Sequence, residues 1–127
     1  MAGAYLDSSA LVKLVRPERE TEALRRFLGD PWRPMLISEL AVTEVRRASR
    51  RVALDPAEAL AACEVVLLTH DVLERAGELD PPSLRTLDAI HLATALSLGS
   101  ELDAFVAYDE RLLAAAAQHG LSIAAPT

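Results

Sequence analysis

Five short apolar runs alternate with helical patterns along this chain, and that alternation limits its folds more than any other feature. The runs are GAYLD (3–7), PMLIS (34–38), VVLLT (65–69), AFVAYD (104–109) and LSIA (121–124). Each is apolar almost throughout, the pattern of strands covered on both faces. Between them the spacing predicts helices over 9–15, 18–28, 39–51, 56–64, 71–79, 84–98 and 110–118. Pro56 suits a first helical position after Asp55, and Gly29, Gly99 and Gly120 suit helix ends. Strands and helices in alternation imply an α/β fold around a parallel sheet. In such sheets ligands bind beyond the carboxyl ends of the strands, and Asp7, Ser38 and Asp109 fall at such ends. No repeat, linker or low-complexity stretch interrupts the pattern, so residues 1–127 read as one domain.

Composition excludes several classes. Apolar residues make up 51% and charged residues 25% of the chain, too apolar for a disordered one. No apolar stretch approaches the roughly 20 residues that span a bilayer. The N-terminus lacks the basic-then-apolar layout of a secretory leader, so the expected location is the cytoplasm. Cys63 stands alone in PAEALAACEVV and reads as a small buried hydrophobe on a helix. The net charge of −6 argues against attachment to nucleic acid by bulk electrostatics alone. It leaves room for an enzyme whose acidic pocket is neutralised by metal.

Four acids break the apolar pattern. Asp7, in YLDSSALVKL, stands where a strand hands over to a helix, and Asp109, in AFVAYDERLL, repeats that arrangement. Either can be explained as a helix cap. Glu44, in ELAVTEVRRASRR, shares the inward stripe of Leu40, Ala41, Val45 and Ala48, where Arg47 offers a local ion pair. Asp88 is the one charged residue of TLDAIHLATALSLGS, otherwise apolar nearly all round. A helix capped by Thr86, with Asp88 complementing its dipole, is the structural alternative there. Taken together, the four come from two strand ends and two inward helix faces. Unit charges 4 Å apart repel by about 4 kcal/mol at an effective dielectric of about 20, so four carboxylates in one pocket require a cation. Hard oxygen ligands favour magnesium or manganese over zinc. Setting these acids aside moves the net charge from −6 to −2. Carboxylate-held magnesium most often serves phosphate chemistry, so hydrolysis of a phosphodiester is the reaction expected.

These residues also carry a resemblance. YLDSSALVKLVRPE, ISELAVTEVRRA, LRTLDAIHLATALSLG and FVAYDERL, in this order, resemble the PIN-domain ribonucleases, and more narrowly the VapC-type toxins of toxin–antitoxin pairs. The resemblance covers essentially the whole chain. It implies a three-layer α/β/α sandwich on a central parallel sheet of about five strands. It also implies a magnesium- or manganese-dependent endoribonuclease acting on RNA, inhibited by a VapB-type antitoxin, and a homodimer. Carried over by position, the family's acidic site falls on Asp7, Glu44, Asp88 and Asp109, with Asp7 and Asp88 the most direct metal ligands. Ser9 matches the hydroxyl position two residues after the first acid, where it holds a water or a carboxylate. Ala107 departs from the pattern, standing where the family often has Thr or Ser.

Smaller signals surround the acids. Arg46, Arg47, Arg50 and Arg51, with Arg16 and Arg85, can hold RNA phosphates or simply form solvated surface. His91, one turn after Asp88, can reach the site but reads first as a packing residue. Tyr5 and Trp32 suit core or interface. Residues 11–29 form two short amphipathic helices that suit either an antitoxin groove or ordinary packing on the sheet. A receiver-type domain would need a second acid where Ser8 follows Asp7, and a dehalogenase-like phosphatase would need an Asp where Ser9 stands. A dinucleotide fold would need glycines in the DSSA turn. The alternative that survives is a catalytically weak module of the same fold, acting through partner or RNA binding. Retention of all four acids favours the nuclease.

Overall fold

The computed structural model describes residues 2–127. Five strands, β1 (Gly3–Leu6), β2 (Met35–Ser38), β3 (Cys63–Val66), β4 (Leu102–Val106) and β5 (Ile123–Ala124), form one parallel sheet in the order β3-β2-β1-β4-β5. Seven helices connect them: α1 (Ser8–Val15), α2 (Thr21–Gly29), α3 (Glu39–Arg51), α4 (Ala57–Ala61), α5 (His70–Glu78), α6 (Thr86–Ser97) and α7 (Glu110–Gln118). The chain winds outward from β1 to β3, then crosses back to β4 on the other side of β1. The point of reversal therefore lies between β4 and the central strand β1.

Alternation along each strand sends side chains to opposite faces. Ala4, Leu6, Ile37, Ala104 and Val106 pack against α1, α2 and α3 through Ala10, Leu11, Leu24, Leu28, Ala41 and Val45. Tyr5, Leu36 and Phe105 face the other way, onto Leu92 and Ala95 of α6 and Leu112, Ala115 and Ala116 of α7. Helix α5 packs on α6 through Val72, Ala76, Ala89 and Ala93. The result is the three-layer sandwich. Fully burying a Leu, Ile or Phe contributes about 1.5–3 kcal/mol, and Leu6, Ile37, Leu92 and Phe105 are all sealed from solvent. Gly3 lets the central strands meet, since a Cβ there would stand 2.6 Å from the Pro34 carbonyl oxygen.

Helices 39–51 and 110–118 form with the predicted bounds; other boundaries move. The third strand begins at Cys63, two residues early, because α4 stops at Ala61. Cys63 is accordingly a half-buried strand residue, not a buried helical one, and its thiol donates to the Ala59 carbonyl at 3.3 Å. The fourth strand ends at Val106, so Ala107 and Tyr108 separate it from Asp109. Pro56 precedes α4, where the Asp55 carboxylate accepts from the Ala57 N–H at 3.0 Å. Gly99 and Gly120 adopt positive φ after α6 and α7, as helix ends require. Tyr5 belongs to the core, whereas Trp32 is 65% exposed and does not. In the 11–29 segment, Leu11, Leu24 and Leu28 are buried beneath the sheet, so packing accounts for its amphipathic pattern. No helix among the described residues is long and apolar enough to cross a membrane.

Candidate active site

Register brings the first acid to the point of reversal. Leu6 pairs with Val106, and the next residue, Asp7, donates its own N–H to the Val106 carbonyl at 3.1 Å. Asp7 then caps α1: its Oδ1 accepts from the Ala10 N–H at 3.0 Å and from the Ser9 hydroxyl at 2.7 Å. Capping and site geometry coexist here. The side chain is buried, with Oδ2 unbonded among the described residues. Burial pushes the Asp7 carboxyl up, and the charge of Asp88 adds to that; the Ser9 and Ala10 hydrogen bonds and His91 oppose it without cancelling it. No Lys or Arg side chain among the described residues hydrogen-bonds to Asp7.

Glu44 does not pair with Arg47. Helix α3, capped by Ser38 and buried along Ala41, Val45 and Ser49, turns Glu44 towards α1 and α6. There Oε1 accepts from the Ser8 hydroxyl and from His91 Nε2, the latter at 2.8 Å. Burial raises the Glu44 carboxyl, but the His91 and Ser8 hydrogen bonds outweigh it and hold it below the ordinary value. His91, buried in α6, also meets the Tyr5 hydroxyl through Nδ1 at 2.7 Å. The two roles open to it merge: it packs the helix and touches the site. One turn between Asp88 and His91 was the available signal, but the contact with Glu44 is long-range.

The other two acids share one cation. Arg85 Nη2 lies 3.0 Å from Asp88 Oδ2 and 3.3 Å from Asp109 Oδ2. Asp88 occupies the first turn of α6, which Thr86 does not cap. Asp109 caps α7, its Oδ1 accepting from the N–H groups of Arg111 and Leu112 at 2.9 and 3.0 Å. Contacts thus join the acids only in part: Glu44 to His91, and Asp88 to Asp109 through Arg85, while Asp7 bonds to neither group and feels only the charges of His91 and Asp88. They do not form a closed cage: no three acidic, His or Cys groups among the described residues stand ready to enclose an ion.

Grooves flank these acids. One, about 700 Å³, is lined by Ser8, Ser9, Glu44, Arg47, Arg51 and Leu87. Another, about 280 Å³, is lined by Arg85, Asp88 and Arg111. The arginine cluster spreads over two hollows: Arg47 and Arg51 share the groove of Glu44, and Arg46 and Arg50 line a neighbouring hollow with Leu54 and Pro56, which Arg47 also borders. Arg16 borders a fourth recess with Val12 and Ala48. Ala107 is fully buried against the α6–α7 face, where a hydroxyl would lack solvent.

A parallel sheet carrying a carboxylate at its point of reversal is shared by several classes of α/β domain, and comparison narrows the choice. A family model described as PIN domain matches residues 4–119. The chain is 45% identical to ribonuclease VapC46 of Mycobacterium tuberculosis, over 100% of both chains, and 43% identical to ribonuclease VapC35, over 96% of both. A toxin–antitoxin complex from Klebsiella pneumoniae superposes with a TM-score of 0.75 at 24% identity, covering 98% of each chain. The sarcin-ricin loop cleaving toxin VapC20 of M. tuberculosis superposes with a TM-score of 0.69 at 18% identity, covering 94% of this chain and 96% of that one. The chain belongs to the PIN-domain family, within its VapC-type ribonucleases.

Proposed function

We infer that this protein is a divalent-metal-dependent endoribonuclease, the toxin of a toxin–antitoxin pair, and that Asp7, Glu44, Asp88 and Asp109 form its site. Full-length likeness to VapC ribonucleases supports the reaction class. The observation that carries the site is Asp7, a buried carboxylate with one oxygen unbonded, near Asp88 and bonded to no Lys or Arg side chain among the described residues.

The donors fit magnesium or manganese. All are hard carboxylate oxygens, and magnesium takes only one or two protein carboxylates while keeping several waters. A structural zinc site would need about four protein ligands, which the open arrangement does not supply. Asp7 and Asp88 would hold the ion, with Glu44 and Asp109 completing the acidic ring. When bound, it supplies Lewis-acid charge at the scissile phosphate.

The chain's own residues do the rest. Ser9 and the Ala10 N–H fix Asp7 Oδ1, leaving Oδ2 for the ligand. Glu44 Oε2, unbonded among the described residues, accepts the proton of the attacking water as the leaving oxygen departs from phosphorus. Arg47 and Arg51 on one side, and Arg111 on the other, bind phosphates of an RNA strand crossing the acids. Arg85 neutralises Asp88 and Asp109 until the ion and substrate arrive. A VapB-type antitoxin as inhibitor, a homodimer and a cytoplasmic location complete the reading, on the strength of the family resemblance.

Incubating single-stranded RNA with the purified protein tests it. Cleavage should require magnesium or manganese, stop in EDTA and vanish in Asp7→Asn and Asp88→Asn. Cleavage by both variants at the parent rate would refute the site. RNA binding without cleavage at any metal concentration would favour the binding-module alternative.

A further inference from the structure

Glu44 is the one acid of the set whose carboxylate is held by a buried side-chain chain, and none of the activity above explains why. Three residues from distant parts of the sequence form that chain. Tyr5 lies in the central strand, sealed from solvent and stacked on Phe105 with ring centroids 5.5 Å apart. Its hydroxyl meets His91 Nδ1 at 2.7 Å, and His91 Nε2 meets Glu44 Oε1 at 2.8 Å. Ser8 adds a hydroxyl to the same Glu44 oxygen. Hydrogen-bond chemistry fixes the direction. An ionised carboxylate only accepts, so His91 Nε2 must carry a hydrogen. The other ring nitrogen, Nδ1, is thereby turned to the Tyr5 hydroxyl, so one imidazole joins strand β1 to the Glu44 carboxylate, with the Ser8 hydroxyl 3.3 Å from the same Nε2.

Resting on the nuclease reading above, we propose that Tyr5 and His91 are positioning residues, a relay that sets the orientation of the Glu44 carboxylate. Strand β1 is the most enclosed element of the sheet, and Tyr5 within it cannot shift without moving Phe105 and α6. The phenol therefore fixes the imidazole plane, and the imidazole fixes which Glu44 oxygen is engaged. Oε1 is consumed by His91 and Ser8; Oε2 is left for the reaction. Partners of this kind, behind a metal-site carboxylate or imidazole, typically change metal affinity or activity by about 10- to 100-fold when removed.

The test compares Tyr5→Phe, His91→Leu, His91→Gln, Glu44→Gln and the double variant His91→Leu/Glu44→Gln with the parent. Two readouts are used: RNA cleavage rate, and Mn2+ affinity by electron paramagnetic resonance without RNA. His91→Leu should lose about 10- to 100-fold in cleavage rate. His91→Gln, whose amide N–H can reach the same oxygen, should recover part of it. The double variant should be no slower than Glu44→Gln alone, because both act through one carboxylate. Tyr5→Phe keeps the buried ring and removes only the hydroxyl, so it decides the case if His91→Leu does not fold; it should slow cleavage at least about threefold. Mn2+ affinity should fall in Glu44→Gln, which loses a charge beside the ion, and in the same direction in His91→Leu and Tyr5→Phe. Parent-like rates and Mn2+ affinity in Tyr5→Phe and His91→Leu, or fully additive losses in the double variant, would overturn the relay. A Glu44→Gln protein that cleaves at the parent rate would instead overturn the underlying site.

Discussion

Replacing Asp7 by Asn should make the metal-free protein more stable while destroying its activity. Asp7 is 4% exposed, and burial raises its carboxyl more than its two hydrogen bonds lower it. Asn keeps the Oδ1 acceptor for Ala10 and Ser9, and caps a helix about as well as Asp. Only the charge is lost. A carboxyl raised in the fold carries its penalty above its folded pKa; well below its ordinary 3.8, folded and unfolded forms are both protonated and the penalty is gone. The advantage of Asn should therefore be greatest at alkaline pH and shrink as pH falls towards about 4. Asp7→Ala removes the cap as well, costing about 1 kcal/mol relative to Asn. At about 2.1 cal/mol/K per residue of unfolding entropy, 127 residues convert that to about 4 °C in Tm. Magnesium should reverse the order. At a hundred times its Kd it stabilises the parent by about 2.7 kcal/mol, about 10 °C on the same scale, and leaves the Asp7→Asn and Asp7→Ala variants unmoved. Circular dichroism melts in EDTA and in saturating magnesium, at several pH values, read all of this. An Asp7→Asn protein that melts below the parent in EDTA at pH 7.5, or gains equally from magnesium, would refute the reasoning.

Other perturbations probe separate parts of the account. Arg85→Gln should tighten Mn2+ binding severalfold, since it frees Asp88 and Asp109 from a competing cation; isothermal titration showing weaker or unchanged binding would contradict this. Gly3→Ala should lower stability by about 1–3 kcal/mol through the clash with the Pro34 carbonyl, and an unchanged Tm would contradict the tight approach of β1 to that carbonyl. Burial pushes the Cys63 thiol from 9.0 up to about 11. At pH 8 its thiolate fraction should be roughly a hundredfold below that of a free thiol, so iodoacetamide should label the native protein far more slowly than the urea-unfolded one.

What the sequence disclosed follows from how local each signal is. Strand runs bounded by capping residues placed α3 and α7 without error, because Ser38 and Asp109 begin those helices within their own segments. The third strand slipped because Cys63 and Glu64 continue the helical run of Ala59–Ala62 in local preference, and only the end of α4 at Ala61 separates them from it. Asp7, Glu44, Asp88 and Asp109 stood out as charges on apolar faces, and the sheet order carries Asp7 to its point of reversal. Their partners were less legible. The Glu44–His91 bond spans 47 residues and the Arg85–Asp109 contact 24, and neither leaves a periodic trace. Arg47, one turn from Glu44, was the local candidate and lost to a more distant imidazole.

Whether Asp7 and Asp88 hold a divalent ion beside Glu44 and Asp109 can be seen by anomalous diffraction from crystals soaked in manganese. One strong peak should lie within coordination distance of Asp7 Oδ2 and an Asp88 oxygen, and be absent in Asp7→Asn crystals treated alike. A manganese peak bound elsewhere, or one that persists in Asp7→Asn, would contradict it.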